Sequence, residues 1–156
     1  MISTELTVNK KKWIIFSIYR PPATSNLKSF FQELSLCMNK ALEKYDNVII
    51  MGDINIDWQN RKHQGYDDLK EFCDVFDLDN LVKEATCITS NHSSSVDVIL
   101  TNRRRYFQHT TVLETGLSDY HSMIATFMKS RIPCLKPKKW SIEVTKNFRR
   151  QNFCQM

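Results

Sequence analysis

Three short acidic segments and one tyrosine in this 156-residue chain have residue types suited to chemistry on phosphate esters. Gly52-Asp53-Ile54-Asn55-Ile56-Asp57 directly follows the apolar run Val48–Met51. Strand alternation puts Asp53, Asn55 and Asp57 on one side and Ile54 and Ile56 on the other. An aspartate and an asparagine at a strand end can hold a hard cation or orient a water. The same residues can also close a strand in an Asx-type turn. Ser95-Val96-Asp97-Val98-Ile99-Leu100 sets an acid inside an apolar strand. A carboxylate there needs a cation, a histidine or a metal, or else a structural hydrogen-bond set. Gly116-Leu117-Ser118-Asp119-Tyr120-His121 brings Asp and His together ahead of another strand. That pairing suits a metal site or an acid/base dyad, and also an ordinary surface pair. Tyr19 closes the first long apolar run. Carboxylates, an amide and a neutral imidazole are the groups that magnesium-assisted phosphoryl chemistry uses.

The elements that must position these groups follow from periodicity. Trp13–Tyr19 is a near-continuous β-type run stopped by Pro21-Pro22, which predicts a strand buried on both faces. Thr24-Ser25-Asn26 offers N-cap chemistry. From there Leu27, Phe30, Phe31, Leu34, Met38, Ala41, Leu42 and Tyr45 recur at helical spacing, predicting about five amphipathic turns. Val48–Met51 predicts a second buried strand, and residues 66–77 a second helix with Tyr66, Leu69, Phe72, Cys73 and Phe76 on one face. Residues 89–95 read as a loop, and Val96–Leu100, Thr110–Glu114 and Ser122–Met128 as further strands. The order predicts a mixed α/β domain with helices packed on a buried sheet. Gly52 and Gly116 are two of only three glycines, and each lies within three residues of an acidic motif.

Composition and charge narrow the class. Residues 129–156 carry eight Lys or Arg against one acid, and residues 1–128 fourteen against sixteen. The net charge of +5 therefore belongs to the tail, which reads as a basic linker. Residues 1–128 read as the folded domain. Within it, Lys10–Lys12 and Arg103-Arg104-Arg105-Tyr106-Phe107 are local basic groups, suited to phosphate contact or to a solvated loop. The five cysteines are scattered without a CxxC pair, which disfavours a zinc site or a disulfide framework. No apolar run reaches the roughly 18 residues of a membrane span, and no secretory segment opens the chain. An intracellular setting without a membrane or a small-molecule cofactor is the expectation.

With these motifs in order, the sequence resembles the endonuclease/exonuclease/phosphatase family, which includes exonuclease III, apurinic endonucleases and DNase I. Ile18-Tyr19-Arg20-Pro21-Pro22, Gly52–Asn55, Ser95–Asn102 and Leu117–His121 carry the resemblance, over about residues 4–128. Tyr-Arg-Pro-Pro, Thr101-Asn102 and Glu114–Asp119 are most similar to endonuclease domains of non-LTR retrotransposons.

The resemblance implies part of a four-layered αββα sandwich. It implies a DNA endonuclease that hydrolyses a phosphodiester with Mg²⁺ or Mn²⁺ and leaves a 3′-hydroxyl. The parent protein would continue into a reverse transcriptase and act on nuclear DNA. Tyr19 matches the tyrosine that contacts the scissile phosphate. Asp53 matches the carboxylate that orients or deprotonates water, and Asn55 its partner. Asp97 matches the acid that orients the active-site histidine, here His121, so a hydrogen-bonded Asp97–His121 pair is expected. Asp119 matches a metal ligand, beside Asp53 and Asn55. Tyr120 separates Asp119 from His121 where the family has adjacent residues, which calls for a bulge. The family's early asparagine and metal-binding glutamate have no match before Tyr19, since Glu5 lies in the strand-like Glu5-Leu6-Thr7-Val8 segment just before Trp13 and not in the metal-glutamate motif. Residues 1–128 therefore read as the C-terminal part of such a domain. A catalytically inactive retroelement remnant and a phosphatase of the same fold are the alternatives.

Overall fold

The computed structural model describes residues 1–22, 26–88, 93–113 and 123–129. Asp119, His121, the expected bulge at Tyr120 and the basic segment beyond Lys129 lie outside these residues. Strands β1 (Ile2–Val8) and β2 (Lys11–Tyr19) form an antiparallel hairpin. Asn9 and Lys10 turn it with φ of 51° and 62°. Two successive positive φ values match the right-handed twist of the strands they join. Helix α1 (Leu27–Leu42) starts at Asn26, whose side chain accepts from the Ser29 amide at 3.1 Å. That bond satisfies one of the helix's open donors. The helix stops three residues short of Tyr45, whose ring packs against the core from the following turn.

Helix α1 returns the chain so that β3 (Asn47–Asp53) runs parallel to β2. Helix α2 (Tyr66–Val75) and the two-residue strand β4 (Asp79–Asn80) follow. A small hairpin of β5 (Cys87–Ile88) and β6 (Ser93–Ser94) leads to β7 (Asp97–Thr101). Strand β7 inserts between β3 and β4, giving the sheet order β1-β2-β3-β7-β4. A 3-10 turn at Arg104–Tyr106 precedes the antiparallel pair β8 (Phe107–Leu113) and β9 (Met123–Met128). The β8 strand begins three residues earlier than periodicity predicts, because Phe107 is buried edge-on against Trp13.

Alternation along the sheet builds two cores. Ile14, Phe16, Ile18, Val48, Ile50, Val98 and Leu100 face the helices and meet Phe31, Leu34, Met38, Leu69 and Phe72. Trp13, Ile49 and Ile99 face the other way and meet Phe107, with Val112, Ile124 and Met128 of the β8–β9 pair. Covered faces on both sides explain why β2 and β3 are continuously apolar. The described layers are helices, sheet and strand pair, which are three of the layers of the expected sandwich.

Candidate active site

The sheet register brings three of the sequence-marked residues into line. Tyr19 at the end of β2 pairs with Asp53 at the end of β3, and Asp53 pairs with Asp97 at the start of β7. Directly paired residues share a face of a sheet. Tyr19, Asp53 and Asp97 therefore lie on one rung, at strand ends, on the face that β8 and β9 cover. Neighbouring strands lie about 4.8 Å apart, so the rung spans about 10 Å of backbone. Tyr19 is 64% exposed, while Asp53 and Asp97 are half-buried.

Gly52 makes this rung possible. Its φ is +143°, and a Cβ there would sit 1.8 Å from the Ile18 carbonyl oxygen. Only a residue without a side chain lets β3 lie this close to β2 at that point.

Beyond Asp53 the strand alternation stops. Asn55 adopts a left-handed φ of 48°, which asparagine tolerates better than most residues. Its amide donates to Asp53 Oδ1 at 2.9 Å, and its side-chain Nδ2 donates to the Arg20 carbonyl at 2.8 Å. Arg20 answers with its own donors. Its Nε reaches the Ile54 carbonyl at 2.6 Å, one terminal nitrogen the Asn55 carbonyl at 2.8 Å, and its amide the Asp53 carbonyl at 2.9 Å. Arg20 is only 5% exposed. Burial pushes its guanidinium down from the usual range, and the Asp53 carboxylate opposes that push. Ile54 and Ile56 are buried, as alternation predicts, and the clamp holds the bend between them.

Asp57 departs from the expected row. It is buried, and its Oδ1 accepts from the Ser95 amide at 3.0 Å and the Gln59 amide at 3.1 Å. Trp58 donates to the Ser95 carbonyl at 2.9 Å. The Asp57 carboxylate thus braces the segment that leads into Asp97. Thr86 fixes the same segment from the other side, its fully buried Oγ1 accepting from the Val96 and Asp97 amides at 3.3 and 3.2 Å. Among the described residues none donates a hydrogen bond to the Asp97 carboxylate. Its expected partner, His121, lies outside them.

Sequence reasoning assigned no role to Arg20 or Thr86. The only signal for Arg20 was its place inside Tyr-Arg-Pro-Pro, and Thr86 carried none.

Among the described residues no three His, Cys, Asp or Glu side chains form a ready metal cage. Asp53 and the neighbouring Asn55 side-chain oxygen nevertheless have the right donor chemistry, being hard oxygens suited to Mg²⁺ or Mn²⁺. Glu5 takes no part in this rung: it pairs with Ile14 in the hairpin and binds Tyr45 and Lys12. Arg103, Arg104 and Arg105 are not brought to the rung either. They follow the far end of β7, beside the start of β2.

Residues 13–125 match the family described as endonuclease-reverse transcriptase. No curated protein sequence matches the chain. Among solved structures, the endonuclease domain of TRAS1, a telomere-specific non-LTR retrotransposon, superposes with a TM-score of 0.69 at 17% identity, covering 83% of this chain and 62% of that one. An endonuclease/exonuclease/phosphatase family protein from Leptotrichia buccalis C-1013-b gives 0.64 at 14% identity, covering 81% and 51%. A 3′-5′ exonuclease from Neisseria Meningitidis gives 0.61 at 12% identity, covering 81% and 64%. The chain has the fold of these structures and spans 51–64% of their length.

Proposed function

Because the chain belongs to the endonuclease-reverse transcriptase family, we propose that it is the nicking part of a retrotransposon-derived protein, hydrolysing DNA phosphodiesters with Mg²⁺ or Mn²⁺. The alignment of Tyr19, Asp53 and Asp97 on one rung carries this reading. Asp53 takes a proton from the attacking water, whose oxygen bonds to phosphorus as the bond to the 3′ oxygen breaks; the departing 3′ oxygen takes a proton from solvent water, leaving a 3′-hydroxyl and a 5′-phosphate. Asn55, locked by the Arg20 clamp, holds the water and the phosphate. The Tyr19 hydroxyl contacts a phosphate oxygen from the exposed end of the rung. Asp97 orients His121, which donates to a second phosphate oxygen. A divalent cation held by Asp53, Asn55 and Asp119 would supply neutralisation of the charge developing on phosphate.

Residues 1–128 as the phosphodiesterase body, 129–156 as a basic linker, a reverse transcriptase in the same protein and a nuclear site of action belong to this reading. So does slow turnover by residues 1–156 alone. Loss of one preorganised charge-stabilising group commonly costs about 10²–10³ in rate, and the family's early asparagine and glutamate have no match here.

Relaxation of supercoiled plasmid in Mg²⁺ tests the proposal. Slow appearance of nicked circles, lost in Asp53→Asn and in Asp97→Asn, is the expected outcome. Wild type no faster than Asp53→Asn overturns the catalytic reading in favour of an inactive remnant. Release of inorganic phosphate from monoesters without nicking points to a phosphatase. Rapid turnover overturns the expectation of a weak segment.

A further inference from the structure

Two basic segments separated by more than 90 residues meet at the end of the sheet opposite the rung. Lys10, Lys11 and Lys12 at the β1–β2 turn, Lys44 after α1, and Arg103 and Arg105 after β7 line one cavity of ≈ 410 Å³. Asp46 is the only acid in that lining. Lys11 lies eight residues before Tyr19 on β2, which at about 3.3 Å per residue is about 26 Å from the candidate active site.

The cavity has a built frame. Asn102 accepts from the Val48 amide at 2.9 Å and donates to the Asp46 carbonyl at 3.1 Å, clipping the end of β7 to the start of β3. Thr101 adds a bond to the Val48 carbonyl at 2.8 Å. This gives the Thr101-Asn102 pair a structural task and fixes where Arg103 and Arg105 emerge. Tyr106 stands edge-on to the buried Trp13, with ring centroids 5.7 Å apart. Its hydroxyl is hydrogen-bonded by Lys11 Nζ. Lys11 Nζ lies 4.6 Å from the ring centroid and the Arg105 guanidinium 5.2 Å. A fixed aromatic thus gathers two of the cations.

Lys12 is already paired with Glu5 at 3.5 Å, and the other five cations around the cavity repel one another, a repulsion that an anion with several charges relieves. We propose that this cavity binds the phosphodiester backbone of a nucleic acid strand, as a non-catalytic anchor remote from the scissile rung. The inference rests on the nucleic-acid reading above and adds a second contact to it. Each strand of a duplex advances about 3.4 Å per phosphate along the helix axis, so about eight base pairs laid along the sheet would bridge anchor and rung.

Fluorescence anisotropy on the full chain, in EDTA so that no cutting occurs, tests the anchor. The probes are a labelled 20-nucleotide single strand and the matching duplex, titrated across salt concentrations. Removing two phosphate contacts in Lys11→Gln/Arg105→Gln lowers the slope of log affinity against log salt by about 1.8 on duplex and about 1.4 on single strand. Lys10→Gln/Lys44→Gln gives a loss of the same size while sparing the Lys11–Tyr106 contact, so the test survives misfolding of the first variant. Unchanged slopes in both variants, with wild type still binding, overturn the anchor alone. Wild type that binds neither probe overturns the nucleic-acid reading as well. Competition by millimolar inorganic phosphate with no dependence on strand length, or charge-dependent binding to phosphatidylserine vesicles instead of the probes, also overturns it.

Discussion

Gly52→Ala isolates the close approach on which the rung depends. The new Cβ would meet the Ile18 carbonyl oxygen at 1.8 Å and the Ile18 carbonyl carbon at 2.9 Å, both backbone atoms that no rotamer change can move. Reaching even 3.0 Å requires β2 and β3 to part by about 1 Å. Two penalties add. Holding a non-glycine residue at a φ of +143° costs of order 1–3 kcal/mol. Losing one or two ladder bonds near the Ile18–Gly52 and Tyr19–Asp53 pairs costs about 1 kcal/mol each. The sum is about 3 kcal/mol, a large share of the roughly 5–15 kcal/mol that stabilises an ordinary domain. With a urea dependence of about 2 kcal/mol per molar, the unfolding midpoint falls by about 1.5 M. Gly65→Ala is the control. Gly65 also has a positive φ, +89°, but its nearest neighbour is a Leu27 methyl at 2.9 Å, the end of a flexible side chain. Its midpoint falls by about 0.5 M, the strain contribution alone. Equal midpoints for the two variants, or Gly52→Ala within about 0.3 M of wild type, would refute the close-approach argument.

Thr86→Val keeps the side-chain shape but leaves the Val96 and Asp97 amides without their acceptor. We expect a loss of about 1–2 kcal/mol in urea unfolding, since each orphaned half-buried donor costs up to about 1 kcal/mol. Thr86→Ser should recover most of that, and equal losses in the two variants would place the effect in packing. Cys73 is a buried thiol that burial pushes up to about 12 from its ordinary 9.0, with Asp74 and Asp79 adding to the push and Lys70 opposing it. Iodoacetamide at pH 8 should alkylate half-buried Cys37 and Cys87 and spare Cys73 in the native chain, as peptide mapping can read. Because the folded value is the higher one, the Cys73 contribution to stability is intact below about pH 9. It declines as pH rises toward 12, by about 1.4 kcal/mol per pH unit. Cys73→Ala should remove that part of the alkaline decline.

The elements that bury a continuous or periodic face were legible in sequence. Strands β2 and β3, helices α1 and α2, and β7 all fall close to where apolar spacing puts them. The β4 strand, two residues long, has no period to detect. Of the edge strand β1 only Glu5–Val8 read as strand-like, because the strand is exposed along almost its whole length and burial writes no pattern into the rest. At the candidate site, Tyr19, Asp53 and Asp97 were visible as polar residues at the ends of apolar runs. Their common rung was not, because register between strands 34 and 44 residues apart is decided by pairing that no local pattern encodes. Asp57 read as a companion of Asp53 because alternation was extended past the strand's last residue. The left-handed Asn55 ends that alternation, and the open amides of Gln59 and Ser95 claim the Asp57 carboxylate instead. Arginine is rarely buried, so nothing in composition marks Arg20 as the clamp of the bend.

The place of β7 in the sheet also orders events in time. Among the described strands, β4 is made before β7 but pairs with β7 alone, and β3 keeps an unpaired side until β7 arrives. The β1–β2 hairpin closes locally, on the microsecond scale of such units. Joining β7 to β3 must close the 44 residues between Asp53 and Asp97, and contacts this distant in sequence form slowly. The same backbone bonds that complete the sheet bring the two carboxylates side by side. A chain still folding therefore exposes a sticky β3 edge but holds no assembled cutting centre, because its acids stay far apart until the sheet is whole.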